Sequence, residues 1–523
     1  MIRSTAVCLL VAVGAPFTLG AQIPHGVRPP VVDTVVVVTH NVFGADESRS
    51  NVLFRIANAI RFTTRSSVIR RELLFQAGEP FDSAAVAETQ RNLRALGVFR
   101  DVAIDTVRID GRLAVVVTTA DGWSTQLRFS MRFTAGTFSW SGGLVEQNFL
   151  GRANSLGVVY RDEPDRTSFT FLGASDRALD SRIAVQGLYD DLSDGTRGNW
   201  SVGLPFRAWT DRSGFELPGD AGRERMLQYR DGEVFQTYQR RSFKQSGHIA
   251  YAPIAGSGRY LRVGVAGQVR REEYLLEADT GSVVPDTVSG AVGVLMEYAR
   301  ARFEVVTHYS AFAREEDLDL SNRVFVSAWL APAAWGYTQT GLGLGIRLET
   351  GVPISRNFVR LFASANGLFN AAGLDSGQVW AGATVASRMI PRNATVLHVE
   401  GGIRQGTPPG REYDLGHGAG PRVFGPHAFT GDRALWGAIE HRSFLIDELG
   451  GLLGIGFAAF LDYGGAWYAD QPRRLGGNVG VGLRFGATRA SGPNVGRIDL
   501  GYRFGEGFDG GRWAVSFGRG FAF

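Results

Sequence analysis

The final twelve residues, Arg512 to Phe523, alternate in size. Trp513, Val515, Phe517, Phe521 and Phe523 fall on one parity, and Ala514, Ser516, Gly518, Gly520 and Ala522 on the other. An extended strand sends successive side chains to opposite faces, so one face here is large and apolar and the other small. Left at the edge of a sheet in water, such a strand would recruit other chains. A closed transmembrane barrel removes the problem: the large face meets lipid, and the strand edge is paired.

The same period of two recurs upstream. Leu127, Phe129, Met131 and Phe133 alternate with Gln126, Arg128, Ser130 and Arg132; Leu261, Val263 and Val265 with Arg262, Gly264 and Ala266. Val479, Val481, Leu483 and Phe485 alternate with Asn478, Gly480, Gly482 and Arg484, and Ile498, Leu500, Tyr502 and Phe504 with Arg497, Asp499, Gly501 and Arg503. An apolar outside and a polar inside is the pattern of a membrane barrel. Residues 124–523 are therefore expected to form an antiparallel transmembrane β-barrel. About 400 residues at roughly 25 per strand and connection give about sixteen strands. Two polar stretches, 207–240 and 270–290, read as long extracellular loops. Glycine is abundant (69 of 523 residues), and Lys244 is the sole lysine beside many arginines. A soluble sandwich would carry more lysine and glutamate on its polar face. The net charge of +4 is too small to argue for nucleic acid. No stretch approaches the roughly 20 apolar residues that a helical span needs.

The other end of the chain agrees. Arg3, the apolar run Val7–Val13 and Leu19-Gly20-Ala21, which ends in small residues, read as a secretory signal peptide over residues 1–21. Cys8, the only cysteine, lies inside it, so no disulfide is expected in the mature protein. Residues 22–32 read as a linker, and 33–123 as a small α+β domain. In that domain Asp33–Thr39 is a valine-rich strand. Residues 48–62 fit an amphipathic helix; the preferred reading is a helix or hairpin packed on its own domain, and the other a helix resting on the inner surface of the membrane. A helix from Ser66 to Gln76 follows. Asp82 then caps a helix ending at Leu96 before Gly97. The runs 100–109 and 112–119 form a hairpin around Asp110-Gly111.

Two sets of motifs carry a resemblance. The text Val68-Ile69-Arg70-Arg71-Glu72-Leu73, Gly78-Glu79-Pro80-Phe81-Asp82 and Leu93-Arg94-Ala95-Leu96-Gly97-Val98-Phe99 resembles a POTRA domain. The text Gly420-Pro421-Arg422-Val423-Phe424, then Gly431-Asp432-Arg433-Ala434-Leu435 and Glu440-His441-Arg442, resembles the loop and following strand of the BamA/TamA outer-membrane assembly superfamily. Phe460-Leu461-Asp462-Tyr463-Gly464 with Trp467 matches that family's later strand motif. Val423 stands where the family has glycine. The resemblance implies a loop lock, in which Arg422 enters the lumen and bonds Asp462 while Phe460 stacks on it. The chemistry suits the task, because a guanidinium is always charged and its planar fork can satisfy both carboxylate oxygens. It also implies a weak seam between the first and last barrel strands, with Gly518, Gly520, Phe521 and Phe523 forming the seam and C-terminal signal.

By that resemblance the chain is expected in the bacterial outer membrane, with the POTRA domain in the periplasm. It would insert or translocate unfolded outer-membrane or secreted clients, amid outer-membrane lipids and with accessory periplasmic proteins as further candidate partners. A two-partner-type secretion pore is the alternative, and a passive channel or surface structural protein the next. No catalytic residue, metal site or cofactor is expected. The eight histidines are scattered, and His398 with Glu400 reads as an ordinary polar pair in the lumen.

Overall fold

The computed structural model describes residues 29–521, apart from 60, 135–136, 277–283, 285, 313, 407, 418, 491–494 and 509. The expected signal peptide, most of the expected linker, and Phe523 lie outside the described residues. An N-terminal α+β unit comes first: β1 (Val32–His40), α1 (Ala45–Ser50), α2 (Val52–Ala59), α3 (Ser66–Glu72), α4 (Ser83–Ala95), β2 (Phe99–Ile109) and β3 (Arg112–Asp121). The sheet order is β1-β3-β2, with β1 parallel to β3. Its core gathers Val32, Ile69, Phe75, Leu93, Val98, Phe99 and Val115 between the sheet and α3 and α4. The Asp82 carboxylate caps α4 by accepting the Ala84 N–H at 2.8 Å, offsetting one of the orphan donors of the first turn. Structure begins earlier than the expected linker end, because Val31 already bridges Pro80. The single expected helix over 48–62 is two short helices broken at Asn51.

The barrel follows. Its first strands are β4 (Thr125–Thr134), β5 (Thr137–Glu146), β6 (Asn154–Asp162), β7 (Thr167–Ser175), β8 (Ala184–Leu192) and β9 (Gly195–Leu204). Longer strands come next: β10 (Ser213–Arg230), β11 (Glu233–Gly256), β12 (Arg259–Leu276) and β13 (Thr287–Arg300). A small hairpin, β14 (Phe303–Val306) and β15 (Glu316–Asp319), precedes β16 (Asn322–Ala331), β17 (Gly341–Ile354), β18 (Asn357–Asn370), β19 (Gly373–Ser387) and β20 (Asn393–Gln405). A second small pair, β21 (Tyr413–Leu415) and β22 (Phe429–Gly431), leads into β23 (Arg433–Leu449), β24 (Leu453–Trp467), β25 (Gly476–Ala487), β26 (Val495–Gly505) and β27 (Trp513–Arg519). Among the described residues, twenty of these strands form one closed antiparallel barrel in which β27 stands beside β4. No helix among the described residues is long and apolar enough to cross a membrane.

The count of twenty corrects the expected sixteen. Strands β4 to β9 are only nine or ten residues long and are joined by connections of two to eight residues, so each uses fewer than the assumed 25. The expected loop over 207–240 is also overturned. Most of it is the hairpin of β10 and β11, which turns at Asp231-Gly232 and pairs without a break from Glu224↔Arg240 to Gln228↔Gln236. Its polar text misled because these side chains line an internal wall: Glu224, Arg240 and Glu272 make a buried ladder of ion pairs at 3.0–3.5 Å.

One end of the barrel rests on the N-terminal unit. Arg177 reaches Glu72 at 2.5 Å, the Trp209 N–H donates to Glu88 at 2.6 Å, and Trp123 donates to the Arg489 carbonyl at 2.7 Å. Residues 301–312 and 314–321, which contain β14 and β15, close this end. Phe312 packs on Phe444 from beneath the β24 glycines, and Arg94 of α4 pairs with Asp317 at 2.9 Å. Outward residues such as Leu344, Ile346, Leu397, Leu461, Val481 and Leu483 stay exposed around the wall, a belt that only a lipid phase would cover. The purified protein should therefore need detergent, give a β-dominated circular dichroism spectrum and migrate differently on gels before and after heating. A helical spectrum, or solubility without detergent, would contradict the barrel.

Candidate functional site

The connection from β20 to β23 does not stay outside the barrel. After β21 it turns into the lumen, where Arg422, Val423, Phe424 and Phe429 are fully buried. Arg422 meets the β24 wall through three hydrogen bonds to Asp462: its Nε donates at 2.7 Å, its Nη2 at 2.8 Å and its backbone N–H at 3.2 Å. Its guanidinium lies 3.9 Å from the centroid of the Phe460 ring. The structure thus brings together the three groups that the sequence pattern paired.

It also adds partners that the pattern did not assign. Nη1 of Arg422 bonds Glu440 on β23, so the guanidinium sits between two carboxylates. Glu440 in turn accepts from Arg442 at 2.8 Å and from Arg484 at 3.2 Å, and Arg484 reaches Asp499 at 2.7 Å. Asn478 donates to Asp462 at 2.9 Å. Arg422, Glu440, Arg442, Asp462, Asn478, Arg484 and Asp499 are all buried, so every charge in this network needs its partners. The signal was present in the sequence, since Glu440 and Arg442, Arg484, and Asp499 share the inward parity of β23, β25 and β26. Parity alone does not say which side chains meet across strands.

Val423 occupies the family's glycine position without strain. A Cβ on Gly501 of β26 would sit 2.9 Å from Val423 Cγ2, so the missing side chain on the wall leaves room for the valine on the loop. The same complementarity seats the aromatics. The Phe424 and Phe429 rings lie over Gly476, and the Phe460 ring over Gly480. Among the remaining motif residues, Gly431 lets the loop pass the Trp467 backbone, and Gly464 packs against Trp436. The Asp432 carbonyl accepts the Arg404 N–H at 2.8 Å, while Arg433 opens β23 on its exposed side. None of these four touches Arg422.

The end of the chain departs from the expected alternation. Arg519 is the last residue of β27, and Gly520 takes φ +72°, a left-handed conformation that glycine adopts readily. Phe521 consequently turns inward rather than to lipid. The Arg442 guanidinium lies 4.1 Å from its ring centroid, and Phe444 lies 5.9 Å away. Gly518 makes room for Arg497, whose Nε would meet a Cβ there at 2.8 Å. At the seam, Arg519 Nη2 donates to the backbone carbonyls of Leu127 (3.3 Å) and Phe129 (3.0 Å) on β4. A side chain thus satisfies edge carbonyls that a neighbouring strand would otherwise take.

At the end of the barrel away from the N-terminal unit, His427 holds the loop to its surroundings. Its ring stacks on Tyr229 with centroids 3.5 Å apart; Nδ1 contacts Asp414 at 2.7 Å and Nε2 contacts Asp165 at 3.1 Å. Burial pushes the imidazole down, but its bonds to the two carboxylates outweigh this and lift its pKa to about 9. The stabilisation is therefore complete below the ordinary value near 6.5 and lost as pH rises through about 9. Proteolysis of the loop should accelerate between pH 7 and 10 in the native protein and lose this dependence in His427→Gln. Identical profiles would remove His427 as the latch.

His398 and Glu400 lie 3.6 Å apart, with Glu400 also accepting the Trp436 indole N–H at 2.6 Å. Among the described residues, no group of three or more His, Cys, Asp or Glu residues is arranged to hold a metal.

Comparison with known proteins gives one sequence relative. The outer membrane protein assembly factor BamA of Neorickettsia risticii (strain Illinois) is 29% identical over an alignment of 166 residues that covers 27% of this chain and 21% of that protein. The match and the shared motifs support a BamA/TamA-type family. The matched part spans about a fifth of that BamA's length. No protein-family model matches the chain. Two solved structures resemble it at 11% identity. BamA from Haemophilus ducreyi lacking POTRA domains 1–3 has a TM-score of 0.39, covering 93% of this chain and 84% of that one. CdiB from Escherichia coli has a TM-score of 0.48, covering 97% and 92%. With the apolar belt, the BamA relationship supports an outer-membrane location.

Proposed function

We propose that this BamA/TamA-type barrel inserts or translocates client proteins at the outer membrane, with the N-terminal unit acting as a POTRA domain in the periplasm. The observation that carries the reading is the seam. Side-chain bonds from Arg519 hold β4 edge carbonyls beside a seven-residue last strand, an edge from which an incoming strand can displace a guanidinium. Strand β2 at the edge of the N-terminal sheet offers a second edge for an extended client. No cofactor enters the scheme, and no enzymatic step is assigned; the driving force is the client's own strand pairing and burial.

Two observations favour this reading over a passive channel. Residues 419–431 occupy the lumen from one end, and residues 303–312 and 314–321 close the other. A two-partner-type secretion pore remains the second reading, because a locked lumen loop also suits a gated pore. Photo-crosslinkers placed in β2 and β4 of the full-length protein in cells test the choice. Unfolded barrel clients trapped on β4 support insertion, whereas a secreted client trapped on lumen residues favours the pore. Recovery of neither class, with the protein folded in the membrane, would refute client handling.

A further inference from the structure

Between β1 and α3 the N-terminal sheet carries an insert, residues 41–65, whose helices do not bury their apolar side. Helix α2 contributes no buried residue. Val52 is 57% exposed, Leu53 71%, Ile56 50%, and Phe62, just beyond the helix, 60%. Val52, Leu53 and Ile56 share one side of α2, because positions i, i+1 and i+4 lie together on a helix. Arg55 is exposed as well. The opposite side makes the contacts that fix the insert. Phe54 stacks on Phe43 at 4.0 Å, and the Asn58 amide donates to the Phe43 carbonyl at 2.9 Å. The expected packing of this helix on its own domain is thus achieved by the wrong side to bury the apolar stripe.

The insert is tied to the base of the barrel. Glu47 of α1 pairs with Arg489 at 2.8 Å, and Arg61 pairs with buried Asp121 at 3.1 Å. Arg489 belongs to the turn between β25 and β26, and its Nε also donates to the Gly451 carbonyl in the turn between β23 and β24 at 2.9 Å. Around that second turn Leu445, Leu449, Leu452 and Leu453 are exposed, and they continue the apolar belt of the barrel wall. The insert that carries α2 is therefore anchored at the turns where the belt ends, close to the last strands of the barrel.

We propose that the 41–65 insert is a membrane-surface foot: α2 lays Val52, Leu53 and Ile56, with Phe62, into the leaflet facing the N-terminal unit, while Arg55 meets anionic phospholipid headgroups. The occupant is lipid because the insert is anchored at the turns where the lipid-facing belt ends, with its apolar stripe uncovered, and because an arginine beside apolar side chains suits an anionic interface. The foot would hold the N-terminal unit at a fixed tilt beneath β25 to β27. The inference rests on the membrane placement of the barrel, not on client handling.

The test uses full-length protein carrying Cys8→Ser and a single fluorescently labelled cysteine, reconstituted in phosphatidylethanolamine–phosphatidylglycerol vesicles. The label sits at Leu53→Cys or, as a control elsewhere on the same unit, at Ile109→Cys. Brominated phospholipids should quench the label at 53 at least about twofold more than the label at 109. Removing phosphatidylglycerol should weaken that quenching. In a labelled Ala59→Cys chain, the Val52→Asp/Ile56→Asp pair should abolish quenching while heat-modifiable mobility stays normal, since both residues point away from the fold. Equal quenching at 53 and 109, or protection at 53 only when an unfolded client is added, would overturn the foot. Neither readout needs client transport, so the foot and the transport reading can fail separately.

Discussion

Arg422→Ala is expected to release the lumen loop and to abolish most activity. The substitution leaves Asp462 and Glu440 buried without their shared cation, and breaking a buried pair in this way costs about 3–5 kcal/mol. Asp462→Ala should cost a similar amount, because Arg422 then keeps only Glu440. The double variant should be no worse than the worse single one, since Asp462 is then no longer present to face the missing Arg422, and Glu440 keeps Arg442 and Arg484. Arg422→Lys should rescue poorly: one ammonium cannot occupy the positions from which Nε and Nη2 bond the two Asp462 oxygens while Nη1 reaches Glu440. Protease susceptibility of residues 416–428, followed alongside client assembly, reads both consequences. Simple additivity of the two single effects would mean that Arg422 and Asp462 do not act as a pair.

The second large effect is expected at the seam. A disulfide between β27 and β4, screened over Ser516–Gly518 and Leu127–Met131, should abolish client insertion and be reversed by reductant. Arg519→Ala should act in the opposite direction. It frees the Leu127 and Phe129 carbonyls, so spin labels across the seam should report a broader distance distribution. Full activity of the oxidised protein would exclude lateral opening and move the reading to transport through the lumen.

Much of this architecture could be read from alternation. Period two identified the wall, the Asp110-Gly111 turn and the Asp82 cap placed the N-terminal elements, and the arginine-aspartate pairing survived in three dimensions. What failed has physical causes. Strand number depends on connection length, which hydropathy does not encode. The β10–β11 hairpin looked irregular because Arg, Glu and Gln fill an interior ladder there, and an interior of ion pairs resembles a loop in composition. Phe521 kept its parity in the sequence but lost it at Gly520, where a positive φ redirected the chain. Glu440 was visible as a motif residue, yet its role as the shared anion of Arg422, Arg442 and Arg484 emerges only when β23 and β25 are placed beside the loop arginine.

The uneven strand lengths bear on the bilayer itself. Strands β10 to β12 run 18 to 24 residues, whereas β27 has seven and β4 ten. At a rise of about 3.4 Å per residue and a tilt near 45°, seven residues cover only about 17 Å, against an apolar band of about 25 Å for such barrels. Lipids beside the last strand must therefore shorten, tilt or disorder their chains, while those beside β10 to β12 need not. Each ångström of mismatch costs a fraction of a kcal/mol in bilayer strain. The protein thus carries a standing elastic defect along the same edge at which its ring of strands is most weakly joined, so a segment entering there would cross a membrane already compressed.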